Sequence, residues 1–311
     1  MTTRRFSKSL FLVWTLVAAS VTSVPVSGRF AEYRQVFDVK VAGSGPPVLL
    51  VPGLATTGAV WDSTVARLQD RYETHVLTLA GFGGPEPLGE PFLPRVAGAI
   101  VEYAGERRLR RPVIVGHSLG GFVAFMAASQ APGAFGAVVA VDGVPFLPAL
   151  ANPRATPTAQ REQAAAVKRL YGSMTPEQFL MQTRLALSSM ITDPADVERA
   201  AGWSAQSEPG AVGVAVAEMM TTDLRARAAR ITAPVLLIGA LGAAPAPMHQ
   251  AFRAAYHAQV AAVPDASVRF AESAKHFVML DDPAFFFPAL ESFLLRVHAA
   301  GARTPAGGGG D

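Results

Sequence analysis

Seven short apolar runs punctuate this chain, and the polar spacing within them separates two kinds of strand. Residues 36–41 alternate apolar and polar positions, the period of an early antiparallel strand. Residues 47–51, 113–115, 137–141 and 233–239 are continuously apolar, as parallel strands buried on both faces must be. Residues 75–79 and 267–270 complete the set. Helical stretches at 61–68, 96–103, 122–128, 249–263 and 285–298 lie between or after them. Strand and helix in alternation predict an α/β architecture with a mostly parallel central sheet flanked by helices.

Residues 145–230 interrupt that rhythm. Pro145, Pro148, Pro153 and Pro157 break the chain first, and helical patterns follow around 160–171, 176–188, 193–204 and 211–221. Met174, Met181, Met190, Met219 and Met220 are scattered through this section. Each alone reads as core filler; together they would suit a pliable pocket lining.

The two ends differ in character from everything between. Arg4, Arg5 and Lys8 precede an apolar core at 10–19, followed by small residues, so residues 1–27 read as a secretory signal cleaved after Ser20 or Ser23. Export to the periplasm or medium follows, with an uncleaved membrane anchor as the alternative. The glycine-rich tail at 300–311 is expected to be disordered.

Composition narrows the function. Half the residues are hydrophobic and 16% are charged, enough apolar surface for a buried core. Removing Arg4, Arg5 and Lys8 from the 27 basic residues leaves 24 against 24 acidic ones, a balance that offers no basic face for nucleic acid. With no cysteine, disulfides, thiolate metal sites and a cysteine nucleophile are excluded.

The chemistry concentrates in residues 111–121, Arg-Pro-Val-Ile-Val-Gly-His-Ser-Leu-Gly-Gly. A buried strand runs into Gly116-His117-Ser118-Leu119-Gly120 and then into the apolar helix at 122–128. A Gly-x-Ser-x-Gly turn in that setting is a nucleophile elbow, which exposes the serine hydroxyl on a sharp bend. From about Val48 to Phe293, the middle section apart, the chain resembles the α/β-hydrolases. That resemblance implies the α/β-hydrolase fold, a helical cap at 145–230 between core segments 31–144 and 231–299, and neither cofactor nor metal.

It also implies a site. Ser118 would be the nucleophile, and the backbone N–H groups of Leu54 and Leu119 would hold the oxyanion. Pro52 stands where the family usually has histidine, but the donor required is a main-chain N–H, which Leu54 retains. Of six histidines, His276 alone follows the last strand in a loop, so it is the expected general base. His117 is expected to pack beneath the elbow, and His75, His249, His257 and His298 to lie at the surface. The family's acid usually follows the strand at 235–238, yet residues 239–247 contain none. Asp142, at the end of the preceding strand, is the expected replacement; Asp223 and Asp265 are weaker alternatives, and a turn aspartate before Gly143 is the plain reading.

The glycines at 81–84 lack the lysine or spacing of a phosphate loop and read as a tight connection near the site mouth. The expected activity is hydrolysis of a small to medium hydrophobic ester through an acyl-enzyme. An acyltransferase, an amidase, a carbon–carbon bond hydrolase and a cofactor-free perhydrolase could use the same residues. A catalytically dead small-ligand binder is the alternative of another class, supported by the missing acid after Gly239.

Overall fold

A computed structural model of the chain describes residues 33–303. The expected signal segment, and the tail beyond residue 303, lie outside the described residues. Seven strands, β1 (Phe37–Ala42), β2 (Pro47–Val51), β3 (Glu73–Leu79), β4 (Val113–His117), β5 (Ala137–Val141), β6 (Val235–Ala240) and β7 (Ala266–Ala271), form one sheet. Their order is β1-β3-β2-β4-β5-β6-β7; β1 runs antiparallel to β3 and every other pairing is parallel.

Side-chain alternation along the central strands sends consecutive residues into two separate cores. Leu49, Val51, Ile114, Val138 and Leu237 pack against α2 (Phe92–Glu106) and α3 (Leu119–Gln130) through residues such as Ile100, Phe122 and Phe125. Val48, Leu50, Val113, Val139 and Leu236 face the other way, toward α1 (Asp62–Leu68) and the C-terminal helix through Leu68, Trp61, Phe286 and Leu290. Trp61 is fully buried against Phe286, which makes it core rather than site.

The insertion between β5 and β6 is helical: α4 (Pro148–Ala151), α5 (Pro157–Gly172), α6 (Pro176–Met190), α7 (Pro194–Ser204) and α8 (Pro209–Thr221). Of the four prolines that read as interruptions, Pro148 and Pro157 start helices instead, while Pro145 and Pro153 stay in the connections before them. Each of the five helices begins on a proline in its first turn, where the missing N–H costs nothing. Thr156, Thr175 and Asp193 accept a first-turn N–H as caps. One boundary is set from far away in sequence. Helix α2 starts at Phe92 rather than near residue 96 because the Glu218 carboxylate of α8 accepts from Phe92 and Leu93 N–H, both at 2.7 Å.

The core resumes after the cap with α9 (His249–Gln259), α10 (Val278–Asp281) and α11 (Pro283–Arg303). Among the described residues no helix is long and apolar enough to cross a membrane. His75 departs from its expected surface position. It is fully buried on β3, with Nδ1 2.8 Å from the Tyr103 hydroxyl and Nε2 2.8 Å from the Glu73 carboxylate. Those two partners let an imidazole sit in a core that would otherwise leave its nitrogens bare.

Candidate active site

Strand β4 ends at His117 and α3 begins at Leu119, so Ser118 alone makes the turn. Its φ of 53° and ψ of −117° lie outside the regions an L-residue occupies freely. Two glycines make room for that bend. A Cβ on Gly116 would sit 2.1 Å from the Gly120 carbonyl oxygen, and one on Gly120 would sit 2.2 Å from the Val51 oxygen. The Ser118 N–H donates to Val141 O at 2.9 Å, tying the bend to the end of β5. Leu119 opens α3, and an N–H in a helix's first turn has no intrahelical acceptor.

Asp142 follows β5 directly, and a φ of 49° turns its side chain off the strand. Its N–H donates to Ile238 O at 2.8 Å. The carboxylate is nearly saturated: Oδ2 accepts from His276 Nδ1 at 2.6 Å, while Oδ1 accepts from Ala240 N–H at 3.0 Å and from the Tyr256 hydroxyl. With Nδ1 donating to the carboxylate, Nε2 is the basic nitrogen of His276. The strand end that lacks the family's usual acid thus supplies a main-chain donor to the acid that stands one strand earlier.

His276 is held from behind as well. The buried His117 donates from Nε2 to the His276 main-chain oxygen at 3.1 Å, with the two rings 4.7 Å apart. Burial, and then the neighbouring His276, push the His117 pKa well below the ordinary histidine value, so it stays neutral. Lys275 Nζ reaches the carbonyls of Ser188 at 3.2 Å and Ile191 at 3.1 Å, a cation on the carbonyl end of α6. Asp281 accepts from Lys275 N–H at 2.8 Å and from both Thr192 N–H and its hydroxyl, at 2.9 and 3.0 Å. The histidine loop and the end of α6 are therefore stitched together.

Ser118, Asp142, His276 and Leu54 line one cavity of about 430 Å³. Its remaining wall is largely apolar, from Phe122, Val144, Leu147, Met190, Val216 and Met219. Only two of the five cap methionines reach it: Met220 is buried elsewhere and Met181 is exposed. The glycine loop at 81–84 does not line it; Gly81 O accepts from Glu208 N–H and anchors the start of α8. Asp223 is paired with Arg225 and Asp265 is exposed in the turn before β7, and neither lines the cavity. A larger cleft of about 740 Å³ along the β1 edge, lined by Asp38, Lys40, Trp203 and Gln206 among others, contains none of the chemistry. Volume does not mark the site here; the convergence of hydroxyl, imidazole and carboxylate does.

Sequence reasoning missed Tyr256 and the Ala240 N–H. Tyr256 sits on an amphipathic crossover helix where an aromatic reads as core, and only the 98-residue and 114-residue separations closed by folding expose either partnership.

The alpha/beta hydrolase family model matches residues 48–289, and the chain belongs to that family. A pimeloyl-[acyl-carrier protein] methyl ester esterase of Aliivibrio salmonicida is 26% identical over 193 residues, 62% of this chain and 72% of the relative. The enzyme of the same name from Methylococcus capsulatus is 36% identical over 108 residues, covering 34% of this chain but only 41% of the relative. Among solved structures, a thermophilic esterase from Thermogutta terrifontis superposes with a TM-score of 0.68 at 20% identity, covering 84% of this chain and 94% of that one. A Pseudomonas aeruginosa hydrolase gives a TM-score of 0.67 at 23% identity, over 83% and 94% of the two chains. At those identities the structural likeness establishes the fold.

Proposed function

We propose that this protein is a serine carboxylic ester hydrolase working through an acyl-enzyme. The observation that carries this reading is the Asp142–His276 hydrogen bond opening onto the same cavity as a serine on a strained bend. Ser118 Oγ attacks the ester carbonyl as His276 Nε2 takes its proton, forming the C–O bond of a tetrahedral intermediate. The N–H groups of Leu54 and Leu119 hold the negative oxygen. The imidazolium gives its proton to the departing alkoxide, and a water, deprotonated in turn by His276, releases the acid and regenerates the serine. Asp142 fixes the Nδ1–H tautomer and offsets the imidazolium charge.

The apolar cavity suits a small to medium acyl group, and the esterases among the relatives support an ester over an amide or peroxy substrate. Fluorophosphonate labelling tests the core of the idea: stoichiometric modification lost in Ser118→Ala supports it, and an unlabelled wild type favours the ligand-binding alternative. A p-nitrophenyl ester series from acetate to decanoate then defines the acyl length. We also propose export, supported by the signal-like pattern of residues 1–27; the mature N-terminus read by mass spectrometry tests it.

A further inference from the structure

We infer that Tyr256 is a positioning residue for the acid–base pair, its phenol holding the Asp142 carboxylate in register with His276 and drawing off part of the charge the imidazole feels. This rests on the hydrolase reading above and assigns one more residue to it. Tyr256 is buried, and its hydroxyl donates to Oδ1, the carboxylate oxygen that the histidine does not use. Ala240 N–H donates to the same oxygen at 3.0 Å, so two donors compete with the imidazole for one negative charge. Edge-on packing against Phe270, with ring centroids 5.9 Å apart, holds the ring in the orientation that brings the hydroxyl to Oδ1. Burial first, and then the Asp142 charge, push the Tyr256 pKa well above the usual tyrosine value, so the phenol remains a donor across the working range.

The other polar groups near His276 leave Asp142 as the charge that matters. His117 is neutral and spends its one N–H on the main chain, and Lys275 and Asp281 are engaged with the end of the cap helix. Beside Tyr256, Arg253 and Glu272 pair with each other over the outer side of Phe270. Removing the phenol donor therefore concentrates negative charge toward Nδ1, and the imidazolium becomes easier to form.

The experiment is Tyr256→Phe, which keeps the ring and removes one donor. His276 is titrated by nitrogen-15 NMR in a Ser118→Ala background, with and without Tyr256→Phe. The pH profile of kcat/KM for p-nitrophenyl butyrate is measured in the serine-containing pair. The expected result is an upward move of the His276 midpoint by roughly half a pH unit, about threefold in proton affinity. The acid limb of kcat/KM should move with it, and kcat should fall severalfold with little change in KM. An unmoved histidine midpoint overturns the proposal, even where kcat drops, because a purely structural loss of packing does not retune the imidazole. The titration needs no turnover, so failure here is distinct from failure of the ester reading, which an unlabelled wild-type serine would signal. Should Tyr256→Phe fail to fold, Ala240→Pro removes the companion donor from the same oxygen and must shift the midpoint in the same direction.

Discussion

The side chain of His117 holds the backbone of His276: its Nε2–H reaches the main-chain oxygen at 3.1 Å, across 159 residues of sequence. The elbow and the histidine loop are thus joined by a bond that involves neither Ser118 nor the His276 ring. Nδ1 of His117, the ring's bare acceptor, is buried without a partner, and the Gly53 backbone lies so close that a Cβ there would come within 2.7 Å of it. Replacing this histidine by leucine keeps the bulk and strands the carbonyl. His117→Leu is expected to lose about 1–3 kcal/mol of unfolding free energy, the cost of an unpaired buried acceptor. Urea denaturation measures it. Wild-type stability would mean that water or another donor serves that oxygen equally well.

The same burial sets how stability responds to acid. Desolvation lowers the pKa of His117, His75 and His298 below the histidine reference of 6.5. At a pH just below that value the unfolded chain binds protons on these rings and the folded chain does not, so acidification favours unfolding. Their contribution is present in full above about pH 6.5 and is lost as pH falls through the folded-state values. Melting midpoints should drop steadily from pH 7 to pH 5, more steeply in wild type than in His75→Gln, which takes one of the three protons out of the balance. Equal slopes in the two proteins would remove His75 from this account.

Asp142 offers the sharpest separation of chemistry from folding. In Asp142→Asn the amide oxygen can still accept from Ala240 N–H and Tyr256, so the local fold should persist. Its NH₂ group, however, faces Nδ1 and selects the wrong imidazole tautomer. Turnover should fall by about 10³- to 10⁴-fold with KM changed far less, by analogy with the triad in which this substitution defines the tautomer effect. Circular dichroism should be unchanged, and near-wild-type turnover would move the acid's role to another carboxylate.

How much of this could be read from the chain alone follows from the range of each interaction. Strands β2, β4, β5 and β6 were legible because burial on both faces leaves continuous apolar runs, and the elbow because a strand, two glycines and an apolar helix adjoin it. The expectation for Asp142 comes from the empty stretch after Gly239 together with the resemblance, and the fold does bring that carboxylate to His276. The start of α2 is not legible locally because its cap is Glu218, more than a hundred residues downstream. The burial of His75 is hidden for a similar reason: a strand pattern does not reveal that Tyr103 waits across the core to satisfy it. Local pattern reports which face is buried; it cannot report which distant polar group makes that burial tolerable.

The strain at Ser118 yields a last expectation, one in which loss of activity and gain of stability go together. At φ 53° and ψ −117° a side chain costs about 1–3 kcal/mol, whereas glycine reaches that conformation freely. Glycine in turn gives up roughly 0.5–1 kcal/mol through its more disordered unfolded state. Ser118→Ala removes the hydroxyl and keeps the strain; Ser118→Gly removes both. The glycine variant should therefore outlast the alanine variant by about 1 kcal/mol, or a melting midpoint about 2 °C higher for a domain of this size. Both should be silent to fluorophosphonate, so differential scanning calorimetry of the two inactive proteins isolates the backbone. If alanine proves as stable as glycine, the bend at residue 118 stores no energy, and the serine is presented by the surrounding glycines alone.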